Sequence, residues 1–308
     1  MIRSKSFSLA FLSILIVSIT VYAKQQIKMG NNKFIVSTDW LAAHLNDPNI
    51  VVIEIGKQDD YNERHIPGSV FMKTSDISTP HDSGLTLQIP SIEKLINSFE
   101  KAGVSNNSRI ILYSGYGWVT PVTRFYLTLD YMGLADNTSI LDGGILKWEE
   151  EKRPLTSEVK KIKRGNITVK SPNKYVVVEV DVVTEALNDP NYQIVDARTE
   201  NYYSGTAESY KRNGHITGAT NIPYTSLTTE DEPYSFKSEE ELRKMFADAN
   251  VDESKKIISY CHVGQEATLI YFIAKYLGYN NVQLYDGSYQ EWDERTDLPV
   301  TGPVKRKN

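Results

Sequence analysis

The sequence predicts an α/β protein with two related domains, each a mostly parallel β-sheet with helices on both faces. The length of 308 residues is more than one core of ordinary size needs. A series of motifs also occurs twice, in the same order, once in each half. In both halves short apolar runs alternate with helical patterns, which favours a parallel sheet covered on both sides.

Four pairs of motifs carry the repeat. Asp47-Pro48-Asn49 and Asp189-Pro190-Asn191 each precede an apolar run that ends in an acidic residue. The other pairs are Arg64–Ser69 with Gly214–Ala219, Ile110–Gly115 with Ile257–His262, and Leu141–Gly144 with Tyr285–Ser288. A Trp follows the last motif in each half, at Trp148 and Trp292, which are 144 positions apart.

The repeat predicts the domain boundaries. We expect a first domain over residues 34–150 and a second over 175–303. The segment 151–174 between them is polar and rich in Lys, and it contains Pro154 and Pro172, which is typical of a linker.

Residues 1–23 have the pattern of a secretory signal peptide. Arg3 and Lys5 form a positive start, residues 7–21 are mainly apolar, and Val21-Tyr22-Ala23 resembles a cleavage site. The alternative is an uncleaved membrane anchor, although the run is shorter than the roughly 20 residues of a spanning helix. We therefore expect cleavage after Ala23 and a periplasmic or secreted protein.

Charge and composition exclude several kinds of partner. Removing residues 1–23 takes away Arg3 and Lys5 and no acidic residue, so the formal net charge moves from −5 to −7. An acidic protein lacks the basic surface that nucleic acids require. The five His residues show no metal-ligand spacing. We expect a monomer that acts on small molecules, with no cofactor, no metal and no membrane contact after cleavage.

Cys261 is the only cysteine. It could be a small buried apolar residue, but it ends a predicted strand, Lys256–Tyr260, and precedes a predicted helix, Thr268–Leu277. Ligands bind beyond the carboxyl ends of parallel strands, and the N–H groups of a loop that enters a helix attract anions. The position therefore predicts an anion site at a reactive thiol, with Gly264 allowing the loop to curve and the thiol pKa lowered.

Several motifs resemble those of the tandem-domain rhodanese sulfurtransferases. They are Asp196-Ala197-Arg198, residues 214–219, the loop 261–268 and the segment 284–292, and the resemblance extends from about Phe34 to Pro299. In that family the second domain carries the nucleophile, and here Cys261 aligns with Ser114 of the first half. The loop after Ser114 is also two residues longer, which favours an inactive first site.

The resemblance implies a reaction in two steps. Cys261 takes the outer sulfur of thiosulfate as a persulfide and passes it to cyanide or a thiol. Arg198 is implied to bind the anionic donor, with a surface salt bridge as the alternative. The loop that would hold the donor comprises His262, Val263, Gly264, Gln265, Glu266 and Ala267. Within it we expect Glu266 to point outward and His262, with an ordinary pKa of about 6.5, to add a pH-dependent charge.

The donor and the kind of function leave alternatives. Members that use thiosulfate often have Arg or Lys in the two positions after the Cys, and members that use 3-mercaptopyruvate have Gly and Ser. This chain has His262 and Val263, and we favour thiosulfate because the following Ala267-Thr268 resembles that branch. Related phosphatases need Arg six positions after the Cys, where this chain has Ala267. A carrier that only hands sulfur to a partner is the alternative of another class.

We expect the mature protein to begin at Lys24 and to be found outside the cytoplasm. The reason is the positive, apolar and small-residue sequence of residues 1–23. Intact-mass measurement of the exported fraction tests this. Retention of residues 1–23 in that fraction would contradict it.

Overall fold

A computed structural model describes residues 33–80 and 84–303. The predicted signal peptide at residues 1–23 lies outside these described residues. Each half of the chain forms a five-stranded sheet with helices around it, which confirms the predicted fold class. No helix in the described ranges is long and apolar enough to cross a membrane.

The first sheet has the strand order β1-β5-β4-β2-β3, and all its paired strands are parallel. Its strands are β1 (Ile35–Val36), β2 (Ile50–Ile55), β3 (Val70–Met72), β4 (Arg109–Ser114) and β5 (Thr138–Leu141). Its helices are α1 (Thr38–His44), α2 (Gln58–Glu63), α3 (Ile92–Lys101), α4 (Thr120–Tyr131) and α5 (Gly144–Glu150).

The second sheet repeats this arrangement with the order β6-β11-β10-β7-β9, again parallel throughout. Its strands are β6 (Val177–Val178), β7 (Tyr192–Asp196), β9 (Thr220–Asn221), β10 (Lys256–Tyr260) and β11 (Val282–Tyr285). A small antiparallel pair joins β8 (His215–Ile216) to β12 (Val300–Thr301). The helices are α6 (Val180–Ala186), α7 (Glu200–Tyr203), α8 (Glu239–Asp248), α9 (Ala267–Tyr276) and α10 (Ser288–Glu294).

Both faces of the central strands are buried, which explains their continuous apolar sequences. In β4, Ile110 and Leu112 pack into one apolar cluster, whereas Ile111 and Tyr113 pack into another on the opposite face. Successive side chains of a strand point to opposite faces, so a strand covered on both sides needs apolar residues at every position.

One apolar core is shared by the two halves. Leu112 of the first sheet and Leu284 of the second belong to the same buried cluster, with helices α4 and α9 between the sheets. The two helices occupy equivalent places in the repeat, and Thr123 Oγ1 lies 2.7 Å from Thr268 Oγ1 where they meet. Because every residue of α4 from Thr120 to Asp130 is buried, this helix depends on both halves for its packing.

Glu54 in β2 occupies the place that Asp196 holds in β7. Each accepts a hydrogen bond from the tyrosine opposite it on the neighbouring strand, Tyr113 or Tyr260. Asp196 also pairs with Arg198, which lies two residues further along the chain. The residue two positions after Glu54 is Gly56, which has no side chain to form such a pair. Glu54 Oε1 is therefore buried without a hydrogen-bond partner among the described residues, and burial raises the pKa of Glu54 to about 7.

The native protein should lose free energy of unfolding between acid and neutral pH as Glu54 ionises. We expect Glu54→Gln to make this loss smaller. The folded-state pKa of Glu54 is raised from 4.5 to about 7, so its contribution to stability is present below 4.5 and is lost as the pH rises to about 7. Urea unfolding between pH 4 and 8 measures this. The variant should gain stability relative to the native protein across that window.

Glu63→Gln is the matched control, because Glu63 is exposed at the end of α2. If Glu54→Gln and Glu63→Gln have the same pH dependence of unfolding, Glu54 does not titrate in this window.

Candidate active site

Cys261 directly follows β10, at the carboxyl edge of the second sheet, as the sequence predicts. Its side chain is fully buried, with 0% exposure. Its backbone is held on both sides, because its N–H donates to Ser288 Oγ at 3.2 Å and its carbonyl accepts from Tyr289 N at 3.0 Å. The start of α10 thus fixes the backbone of Cys261.

The loop from Cys261 to α9 forms the predicted cradle. The backbone N–H groups of Val263 and Ala267 face the sulfur and favour negative charge on it. Gly264 has a φ of +80°, and a Cβ there would lie 2.9 Å from the carbonyl oxygen of Asp286. Glycine is needed at this position for both its conformation and its lack of a side chain.

Glu266 does not point outward, so this expectation was wrong. Its side chain is half-buried and lies near enough to Cys261 for its charge to act on the thiol. One of its carboxylate oxygens, Oε2, is buried and has no hydrogen-bond partner within the described part of the chain. The carboxylate turns inward because Glu266 lies one residue before α9 with helical φ and ψ, and its side chain does not cap that helix.

The expected lowering of the thiol pKa is also wrong. Burial is the largest influence and raises the pKa of Cys261 well above its usual range, and the nearby carboxylate of Glu266 raises it further. The N–H groups of Val263 and Ala267 act in the opposite direction but are outweighed. The resting thiol is therefore protonated at neutral pH.

His262 does not supply the expected charge near neutral pH. Burial lowers its pKa below the usual value of 6.5, although the nearby carboxylate of Glu266 opposes this. Its Nδ1 lies 2.6 Å from the hydroxyl of Tyr210, and the ring of Tyr202 packs edge-on against it. The imidazole is neutral at pH 7 and is part of an aromatic cluster beside the loop.

Arg198 is buried and is not part of a surface salt bridge. Its Nε and Nη2 donate to the carboxylate of Asp196, Nη2 also donates to the carbonyl of Gly214, and the ring of Tyr289 lies 3.9 Å from the guanidinium carbon. Burial alone would lower the pKa of Arg198, but Asp196 outweighs it, so the pKa is raised and the charge is kept. Nη1 has no hydrogen-bond partner within the described ranges, so donor binding by Arg198 stays a prediction that rests on this atom.

Arg124 of the first half supports the cysteine loop, and the sequence did not reveal it. Its Nη1 donates to the carbonyl of Gly264 at 3.0 Å and to Asp286 Oδ1 at 2.7 Å, and its Nη2 donates to the carbonyl of Leu87. The guanidinium is fully buried. The signal that could have identified Arg124 is a basic residue within α4, a helix whose other residues from Thr120 to Asp130 are also buried.

The segment before α3 in the first half also contacts the site. The N–H of Ile89 donates to Asp286 Oδ2 at 2.8 Å, and Thr86 exchanges two hydrogen bonds with the side chain of Gln290. In the cysteine loop, Gln265 Nε2 lies 3.4 Å from Thr120 Oγ1 of α4. The first half therefore fixes the cysteine loop from two directions.

Ser114 occupies the place of Cys261 in the first half but is surrounded differently. Its Oγ accepts from the N–H of Tyr116 at 3.3 Å. The loop that follows lines a cleft of about 680 Å³ between the halves, in which Trp118 is 44% exposed. Tyr224 of the second half also lines this cleft, together with Leu269 of α9.

Comparisons with known proteins agree on the family. The profile of the "Rhodanese-like domain" matches residues 37–151 and 179–295. A "Putative thiosulfate sulfurtransferase" of Mycolicibacterium smegmatis is 31% identical over 283 residues, covering 88% of this chain and 99% of the relative. The 3-mercaptopyruvate sulfurtransferase of Escherichia coli is 32% identical, covering 88% and 98%. A sulfur carrier protein of Thermus thermophilus is 31% identical, covering 86% and 95%.

We expect Arg198→Ala to destabilise the fold, because Asp196 is then left buried without its partner. Breaking a buried ion pair in this way costs about 3–5 kcal/mol. Urea unfolding at pH 7 measures it, with Arg243→Ala as a control that breaks the exposed pair with Glu239 and should cost less than about 1 kcal/mol. An Arg198→Ala protein of native stability that binds thiosulfate weakly would instead assign Arg198 to the donor alone.

Proposed function

The chain belongs to the rhodanese family, and we propose that it is a thiosulfate sulfurtransferase with Cys261 as its nucleophile. The observation that carries the proposal is the single cysteine at the end of β10, with the N–H groups of Val263 and Ala267 directed at its sulfur. Such donors stabilise negative charge on the thiolate and on the persulfide that replaces it.

The reaction needs two displacements at sulfur. The Cys261 thiolate attacks the outer sulfur of thiosulfate, the new S–S bond forms, and sulfite leaves with the electron pair of the broken bond. The terminal sulfur of the persulfide is then attacked by cyanide or a thiol, and the Cys261 thiolate is restored. Because the Cys261 side chain is fully buried, water is kept away from the persulfide between the two steps.

Two observations support thiosulfate as the donor. The site offers a small dianion two backbone N–H groups, together with the charged guanidinium of Arg198, whose Nη1 is unpaired within the described residues. The Mycolicibacterium relative also carries the name of this activity. The Escherichia relative is named for 3-mercaptopyruvate, so both donors belong in the test.

A sulfur carrier is the second candidate, since the Thermus relative bears that name. A carrier forms the persulfide once and passes it to a protein partner, whereas an enzyme turns over with a small acceptor. Sulfite release over many cycles with cyanide present separates the two. We further propose that the protein acts outside the cytoplasm, as a monomer on small molecules and without nucleic acid.

We expect the native protein to have a higher kcat/KM for thiosulfate than for 3-mercaptopyruvate, and Cys261→Ser to abolish activity with both. The substitution replaces one sulfur by oxygen, so the fold should be kept while the nucleophile is lost. Steady-state thiocyanate formation and circular dichroism measure the two effects.

Ser114→Ala is the matched control, because Ser114 holds the equivalent place in the first half. It should change activity less than twofold. A clear preference for 3-mercaptopyruvate would overturn the donor, and near-native activity of Cys261→Ser would overturn the nucleophile.

A further inference from the structure

We propose that Arg124, in the half of the chain without the cysteine, is a positioning residue for sulfur transfer. It holds the carbonyl of Gly264 outward, so that the N–H groups of the cysteine loop, residues 261–266 between β10 and α9, stay directed inward. The inference rests on the proposed function, because it concerns how that loop stabilises negative charge on the reacting sulfur.

The carbonyl groups of the cysteine loop are bound by partners outside it. Those of Cys261 and His262 accept hydrogen bonds from N–H groups in the first turn of α10, each at 3.0 Å. The carbonyl of Gly264 accepts from Nη1 of Arg124 at 3.0 Å. The next two carbonyls accept from N–H groups in the first turn of α9. Of these partners, Arg124 is the one that belongs to the first half of the chain.

The N–H groups of the same segment have no such partners. No N–H from His262 to Ala267 donates to an oxygen atom among the residues that the structure describes. A peptide group is planar and trans, so its C=O and its N–H point in opposite directions. The bond from Arg124 to the carbonyl of Gly264 therefore turns the N–H of Gln265 away from α4. Successive N–H groups arranged in this way attract an anion.

The peptide that follows Gly264 needs a partner from outside the loop. Gly264 has a φ of +80°, and glycine is the residue with the greatest backbone freedom. If the bond to Arg124 is lost, this peptide can rotate and direct its carbonyl oxygen into the loop. A carbonyl oxygen in that place would repel an anionic donor. Arg124 therefore fixes a peptide that the sequence of the loop leaves free to turn.

Arg124 is itself held firmly. Its side chain is fully buried, its Nη1 also donates to Asp286 Oδ1 at 2.7 Å, and its Nη2 donates to the carbonyl of Leu87 at 2.6 Å. The other carboxylate oxygen of Asp286 accepts from the N–H of Ile89 at 2.8 Å. Hydrogen bonds of a charged donor are short and strong where water is excluded. Both halves of the chain thus set the position of the guanidinium.

A role in joining the halves alone does not explain a charged residue at this place. Apolar residues of similar volume serve as well as a buried ion pair, or better, for stability. The equivalent residue of α9 is the apolar Leu269. Nε of Arg124 is also buried without a hydrogen-bond partner in the described ranges, which lowers stability further. The fixed direction of its donors is what an apolar residue could not supply.

The main variant combines Arg124→Met with Asp286→Asn. Removing Arg124 alone would leave Asp286 as a buried charge without its partner, which is strongly destabilising. Asp286→Asn alone is measured beside the double variant, because it keeps the bond from Arg124 to Gly264. Arg124→Lys keeps a positive charge next to Asp286, but one ammonium group cannot span all three acceptors of the guanidinium.

Tyr271→Phe is the matched control. It removes another buried hydrogen bond between α9 and α4, from the hydroxyl of Tyr271 to Asp130 Oδ2 at 2.7 Å. This contact joins the two halves without touching the cysteine loop. The control therefore weakens the contact between the halves and leaves the carbonyl of Gly264 bound.

Three measurements are made on each protein. Urea unfolding at pH 7 shows whether it is folded. Single-turnover sulfite release at saturating thiosulfate gives the rate of the first sulfur transfer. Iodoacetamide labelling of Cys261 without donor, between pH 6 and 11, reports how the ionisation of the thiol depends on pH.

We expect the double variant to fold and to release sulfite about 10²-fold more slowly, the lower end of what loss of one donor to a developing charge costs. Its labelling should rise at higher pH than in the native protein, because the thiolate has lost a donor. Asp286→Asn alone should lose less, and Arg124→Lys should be stable with part of the rate. Tyr271→Phe should be less stable, with native labelling and sulfite release.

Several results would overturn the inference. A folded double variant with native rate and labelling would show that Arg124 only joins the halves. An equal shift in Tyr271→Phe would assign the effect to any weakening between the halves, and an equal loss in Asp286→Asn would assign it to Asp286. If the double variant does not fold, Arg124→Lys decides, and native values in both assays would reject the positioning role.

Failure of the proposed function gives a different pattern. If the native protein releases neither sulfite from thiosulfate nor pyruvate from 3-mercaptopyruvate, the sulfurtransferase assignment fails. The labelling assay needs no donor and still applies in that case. A shift of labelling to higher pH in the double variant and not in Tyr271→Phe supports Arg124 as the residue that positions the loop, and no shift rejects it.

Discussion

The buried guanidinium of Arg124 connects three segments that are far apart in the sequence. It donates to the carbonyl of Gly264 in the cysteine loop, to the carboxylate of Asp286 after β11, and to the carbonyl of Leu87 in the first half. Charged hydrogen bonds of this kind are strong when water is excluded, and leaving one partner unpaired is costly. The conformation of the cysteine loop therefore depends on the half of the chain that lacks the cysteine.

The two halves differ in the residues at equivalent positions of α4 and α9. The residue after Thr123 in α4 is Arg124, whereas the residue after Thr268 in α9 is Leu269. Asp142, which corresponds to Asp286, pairs with Lys147 of its own half. The first half thus contributes support and a wall of the cleft, and the second half contributes the nucleophile.

Much of the fold could be predicted from the sequence because the repeat and the apolar runs are local signals. β10 has the predicted bounds, and Cys261 follows it as expected. The direction of the Glu266 side chain could not be predicted, because it depends on whether that residue caps α9 or turns into the loop. The thiol pKa was misjudged for a related reason: the sequence shows the N–H groups of the loop but not the burial that outweighs them.

The shared core also has a consequence for how the chain reaches its folded state. Thr123 and Thr268 are in contact across 145 positions of sequence. During synthesis from the amino terminus, α4 is complete long before α9 exists, so an apolar surface of the first half stays uncovered for most of that time. Incomplete domains with such surfaces tend to aggregate, and they are protected by chaperones or by late cooperative folding. The loop that holds the thiol is therefore completed only at the end of assembly, when the second helix closes over the first.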